Sequence, residues 1–170
     1  MNVRTTKTAS SYVERLSQKV ERLEECLLAP MAVGTRNWVQ RVGWAFDEMI
    51  DAWSLHRSNF DSDDGPLSAE RLKGTTLPAL DRRAESLQRE HQRLRNSLEA
   101  MRTRLDEAAR SSSRSPKVLD LLRIRRRGRQ LLDEIRKHKE KETILLHGQH
   151  ERGYWRRRLA HAWSQGQESP

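Results

Sequence analysis

The chain has 170 residues, with 33 Lys and Arg against 24 Asp and Glu, and it is 34% charged and 35% hydrophobic. That length carries one domain with a substantial core rather than two, and the composition suits long amphipathic helices and leaves little room for strands. The single cysteine, Cys26, excludes an intramolecular disulfide and a cysteine-built zinc knuckle. Neither an apolar run of about eighteen residues nor a secretion signal in MNVRTTKTASSYVERL is evident, so a cytoplasmic protein with no membrane span is expected.

Residues 1 to 9 carry no apolar period and are expected to be a flexible N-terminus. The first helix is expected over residues 10 to 28, capped by Ser10 or Ser11, with Val13, Leu16, Val20, Leu23 and Leu27 three and four residues apart and Pro30 close behind. Leu23, Leu27 and Leu28 surround Cys26, which reads as a packed thiol rather than a nucleophile. After the break APMAVGTRN, a second stripe runs through Trp38, Val39, Val42, Phe46, Met49, Trp53, His56 and Phe60. The segment DSDDGPLS ends it as a turn in which Gly65 is free to take positive φ. It is not a calcium loop, because the twelfth position from Asp61 is Leu72 where a bidentate glutamate is needed.

Gly74 interrupts the next stretch, and a long third helix is expected from near Pro78, with the stripe Leu80, Ala84, Leu87, His91, Leu94, Leu98, Met101 and Leu105. The run SSSRSP is a polar loop from which Pro116 opens a fourth helix to about residue 148, on Leu121, Ile124, Gly128, Leu131, Ile135, His138, Glu142 and Leu145. Residues 149 to 170 form a basic C-terminal tail in which Tyr154, Trp155, Leu159 and Trp163 could extend a helical segment. Residues 111 to 170 hold 15 Lys and Arg against 7 Asp and Glu, so nearly all of the +9 net charge belongs to this third of the chain. The architecture expected is an all-α, up-and-down four-helix bundle over residues 10 to 148 with a basic C-terminal extension.

His56, His91, His138 and Glu142 occupy stripe positions that ordinarily hold aliphatic side chains. Burying them costs desolvation unless each finds a partner, and imidazole and carboxylate facing inward from several helices are ordinary ligands for iron, zinc or manganese. His138 and Glu142, four residues apart, project to one side of their helix. Counting about 1.5 Å per residue from the loop they share puts His91 and His138 at one depth, roughly 30 Å along the bundle. His56 is level with them only if the connector over residues 61 to 78 folds back.

The segments LQREHQRLRNSLEAMRTRL, with Glu90 and His91, and LLDEIRKHKEKETILL, with His138 and Glu142, resemble the hemerythrin-like (HHE cation-binding) family, as does AFDEMIDAWSLHRSNFDSDDGPL before them; the likeness spans roughly residues 38 to 148. This resemblance implies a four-helix bundle with a non-haem iron centre, mononuclear or dinuclear, that handles oxygen or nitric oxide. The ligands it carries over are His91, His138 and Glu142, with His56 and Asp61 as further members. The first helix has no histidine and His56 is followed four residues later by Phe60, so the chain holds fewer ligands than the five histidines and two carboxylates usual for the family's di-iron site. The alternatives are a reduced site that still binds iron and a diatomic gas, or a vestigial site on a metal-free interaction module.

In the second case the basic C-terminal third would meet an acidic protein, another copy of the chain or nucleic acid. RIRRRGR and RGYWRRR attract phosphate, and Trp155 could stack on a base. The apolar stripe within the same helix favours a solvated arginine face over a nucleic-acid interface. His147 and His150, three apart in LLHGQHE, are set aside as ligands because Gly148 weakens the helix between them. Neither a nucleophile elbow nor a glycine-rich phosphate loop is present, and no enzymatic activity is expected.

Overall fold

The computed structural model describes the backbone of residues 3–31, 35–62, 65, 78–110 and 118–165, and the side chains of 14–31, 35–62, 65, 82–110 and 118–146. Among the described residues four helices follow one another: α1 (Val3–Leu28), α2 (Thr35–Asp61), α3 (Pro78–Arg110) and α4 (Val118–Gln165). Each packs against its neighbour in the chain, and α1 closes the ring on α4, giving an all-α four-helix bundle. No helix among the described residues is long and apolar enough to cross a membrane.

Two boundaries differ from the sequence expectation. Helix α1 begins at Val3, so Ser10 and Ser11 lie inside it rather than capping it, and most of the segment expected to be flexible is helical. Helix α4 does not stop near residue 148 but continues to Gln165, through Gly148 and Gly153. A glycine costs a helix only about 1 kcal/mol relative to alanine, and nothing else in this stretch opposes propagation. Val13, Leu80, His147, His150 and the tail residues Tyr154, Trp155, Leu159 and Trp163 lie outside the described side chains, and Gly74 and Pro116 lie outside the described residues.

The stripes set the packing. Leu16, Val20, Leu23 and Leu27 of α1 meet Val42, Phe46 and Met49 of α2, Leu94, Leu98, Met101 and Leu105 of α3, and Leu121, Ile124, Leu131 and Ile135 of α4 in one continuous apolar core. Cys26 is buried in it, as a packed thiol should be. A smaller apolar cluster of Phe60, Ala84, Leu87 and Leu145 lies towards the other end.

Two glycines are required by close approach. A Cβ on Gly128 would lie 2.9 Å from Leu27 Cδ1, so its absence lets α1 draw up to α4. At the end of α2 a Cβ on Gly65 would lie 2.4 Å from the Phe60 carbonyl oxygen, so this turn needs glycine for room and not for a left-handed φ. The Gly65 amide donates to the Ser62 carbonyl at 2.7 Å and closes the turn just beyond Asp61.

Candidate metal centre

Between the two apolar clusters the stripes turn polar. His56, His91, His138 and Glu142 are the buried polar residues here, each no more than 3% exposed. The helical period delivers them: His56 lies one turn beyond Trp53 on α2, His91 one turn before Leu94 on α3, and His138 and Glu142 one turn apart on α4. The Nε2 atoms of all three imidazoles approach a single oxygen, Glu142 Oε1, at 3.0 Å for His56, 2.7 Å for His91 and 3.0 Å for His138. One ligand atom from each of the four residues lies within 4.8 Å of every other.

The depth of His56 is resolved in favour of convergence. Its ring centroid is 5.4 Å from that of His91, which in turn is 4.6 Å from that of His138. His56 is five residues from the end of α2 and His91 thirteen from the start of α3, so the opening turns of α3 overhang the end of α2. Trp53 fixes this register from below by donating its indole N–H to the His91 carbonyl at 3.1 Å. Its ring lies 5.3 to 5.6 Å from all three imidazoles, a dry floor under the cluster. Phe60, 4.5 Å from His56 and 6.2 Å from His91, covers the other side.

Asp61, a candidate ligand by resemblance, does not reach the point of convergence. It accepts a hydrogen bond from Nδ1 of His91 at 3.0 Å, on the far side of the ring. Glu90, absent from the expected ligand set, does the same for His138 Nδ1 at 3.0 Å. Arg57 donates to Asp61 at 3.3 Å and Lys141 to Glu90 at 2.6 Å, which ties both carboxylates to the bundle surface. Glu90 and Lys141 line an open groove between α3 and α4 with Leu87 and Leu145, so the surroundings reach Glu90 while the imidazole behind it stays buried. Metal-bound histidines are typically held in this way, since a carboxylate on the outer nitrogen fixes the tautomer that leaves the inner nitrogen's lone pair free.

The electrostatics of the cluster without an ion follow from the same contacts. Burial works against a charge on His91, but hydrogen bonds to Asp61 and Glu142 outweigh it and raise the imidazole to about 9. Burial likewise disfavours a charged Glu142, yet its three histidine partners hold the carboxyl well below the usual carboxylate range. Glu90 is lowered too, with Lys141 and His138 overcoming the effect of burial.

No family model, curated protein or solved structure matches this chain. The site therefore has to be read from its own geometry. Three ring nitrogens and one carboxylate oxygen form a donor set suited to a first-row transition metal. In a four-coordinate ion with bonds of about 2.0–2.1 Å, neighbouring donors sit roughly 3.3 Å apart; the imidazole nitrogens lie 2.7 to 3.0 Å from Glu142 Oε1, somewhat closer than that, and all four donor atoms lie within 4.8 Å of one another. The four residues could hold one metal ion.

Sequence reasoning found all four convergent residues and missed what surrounds them. Glu90 sits beside the α3 stripe, and hydropathy gives such a residue no weight. Its position immediately before a stripe histidine on a helix facing α4 was the available signal. Trp53 belongs to the apolar stripe expected for α2, and it is core as well as the floor of the site.

Proposed function

We propose that this protein is a hemerythrin-like helical bundle that holds a single non-haem iron ion on His56, His91, His138 and Glu142 and offers it to a diatomic gas. The observation that carries this reading is the convergence of three Nε2 atoms on one carboxylate oxygen, with the outer nitrogens of two of those rings held by Asp61 and Glu90. A mononuclear centre is favoured over a dinuclear one. The two further carboxylates, Asp61 and Glu90, are engaged on outer nitrogens, and the described residues gather one group of ligands rather than two.

Hydrogen-bond accounting supports the same reading. Both nitrogens of His91 and of His138 face carboxylate oxygens, Glu142 on the inner side of each ring and Asp61 or Glu90 on the outer side. With an ion on the inner nitrogens each ring keeps only its outer N–H. A divalent ion there would meet the Glu142 carboxylate directly, with Asp61 and Glu90 behind two of its imidazoles, which offsets the cost of placing charge in a buried site. Bound iron supplies one-electron redox chemistry and coordination positions beyond the four protein donors. The chain's part is to orient the imidazoles through Asp61 and Glu90 and to exclude water with Trp53 and Phe60.

Elemental analysis of protein purified without chelator tests this directly. The expected result is iron at one per chain, lost in the combined variant His91→Ala, His138→Ala, Glu142→Ala. Zinc or manganese at the same stoichiometry would keep the site and overturn iron and the gas ligand, while absence of any metal would overturn the proposal.

A second reading, an interaction module using the basic C-terminal third, has one observation in its favour. Val118, Leu119 and Leu122 are exposed together at the start of α4, beside Arg123 and Arg126 on its outer surface. An acidic protein partner with an apolar centre would suit that face better than nucleic acid, because Arg125 is committed to the Ala29 carbonyl and the Trp38 ring, and Arg127 pairs with Glu134. Retention on an acidic resin and on immobilised DNA at graded salt, compared with Arg123→Ala, Arg126→Ala protein, separates these partners.

A further inference from the structure

The three imidazoles are not held alike. His91 is anchored at Nδ1 by Asp61 at 3.0 Å, and Asp61 is itself tied to Arg57. His138 is anchored at Nδ1 by Glu90, also at 3.0 Å, and Glu90 is tied to Lys141. His56 has no such anchor: its Nδ1 is buried and without a hydrogen-bond partner. Apart from the contact of its Nε2 with Glu142 at 3.0 Å, ring contacts orient it, tilted at 37° to Trp53 and 38° to Phe60.

This asymmetry has energetic content. A carboxylate on the outer nitrogen raises a histidine's basicity towards the metal and fixes its ring, and losing such a partner typically weakens metal binding 10- to 100-fold. A ligand that never had one is the weakest of its set by a similar factor. Position adds to this, because His56 lies within two turns of the end of α2 at Asp61, where a helix opens locally at lower cost than in its middle. His91 and His138 lie deep within α3 and α4.

Resting on the metal-centre reading above, we infer that His56 is the exchangeable ligand, and that the coordination position it occupies is where a small exogenous ligand, an anion such as azide or a diatomic gas, enters the site. His91, His138 and Glu142 form the permanent seat. Three fixed donors and one labile donor let the ion stay in the protein while it changes partners. Phe60, tilted against His56 one turn further along at a ring distance of 4.5 Å, covers this position from the same end of α2.

Cobalt(II) is the probe, because its visible absorption reports coordination number and does not require control of redox state. Wild-type protein, His56→Ala, the volume-preserving His56→Gln, and His138→Ala are each loaded with cobalt(II), desalted, analysed for metal and titrated with sodium azide, with far-ultraviolet circular dichroism confirming the helices. Both His56 variants are expected to keep one cobalt per chain with affinity lowered no more than about 100-fold, and to bind azide at least tenfold more tightly than wild type. His138→Ala is expected to lose the ion.

Loss of cobalt from folded His56→Gln to the same extent as from His138→Ala would overturn the inference, as would retention of cobalt with unchanged azide affinity. Wild-type protein that takes up no cobalt would overturn the metal centre itself and the inference with it, so the two failures are distinguishable.

Discussion

The bundle contains two kinds of layer built on one helical period. In the larger cluster the stripe positions of all four helices carry Leu, Val, Ile, Met and Phe. One or two turns further along, the same registers on α2, α3 and α4 carry His56, His91, His138 and Glu142. Both layers are dry. Apolar packing stabilises the first at about 1.5–3 kcal/mol per large side chain. The second forgoes that gain and requires outer-nitrogen partners to offset desolvation, a cost that an apolar replacement would avoid. A polar layer at stripe positions thus adds less stability than an apolar one would, and the proposed metal centre accounts for its presence.

Substitutions that exchange the character of the two layers sharpen this contrast. The largest effect is expected in the apolar layer, where Leu98, fully buried, loses its contacts in Leu98→Ala. Chemical denaturation should register a loss of about 2–5 kcal/mol with little change in metal content once folded. In the polar layer the sign reverses: the combined variant His56→Leu, His91→Leu, His138→Leu, Glu142→Leu, which replaces the whole network, should leave the metal-free protein equally stable or up to about 4 kcal/mol more stable, while metal binding disappears. A severe loss of stability in that variant would show the layer to be a structural network in its own right.

The pH dependence separates the layers next. His91 is raised from 6.5 to about 9, so its contribution to the metal-free fold is fully present below about 6.5 and is lost as pH rises through about 9. Glu142 is lowered from 4.5, so its contribution is present above about 4.5 and is lost as pH falls below that. Metal-free protein should accordingly melt highest between about pH 4.5 and 6.5 and at lower temperature towards pH 9. Added metal competes with the protons, so its stabilising effect should grow over that same rise to pH 9. Parallel melting curves with and without metal across this range would contradict the shared site.

The smallest effect is expected at Gly43, on α2 in the apolar half. A Cβ there would meet Leu105 Cδ2 at 3.5 Å, an ordinary contact. Gly43→Ala should stabilise the bundle by about 0.4–1 kcal/mol, with no change in metal binding.

How much of this the sequence carried differs between the layers in the same way. The four helices and nearly every core side chain follow from three-and-four spacing alone, because burial selects residue type at each turn. The convergent residues were legible as departures from that spacing. The level of His56 was not, since a connector of residues 62 to 77 does not determine how far α3 overhangs α2, and only the register held by Trp53 and Asp61 settles it. Glu90 and the outward role of Asp61 were hidden for a related reason: carboxylates beside the stripe look like solvated surface until the opposing helix is in place. The helical segment that the tail allows is continuous with α4 instead of separated from it near residue 148, because Gly148 and Gly153 weigh little against the propensity of a 48-residue helix.

The most direct test of the central claim is the number of iron ions retained per chain after anaerobic loading with iron(II) and desalting at neutral pH. One ion per chain is the result expected from three imidazole nitrogens and one carboxylate oxygen sharing a single point. Two ions per chain, or none, would contradict it.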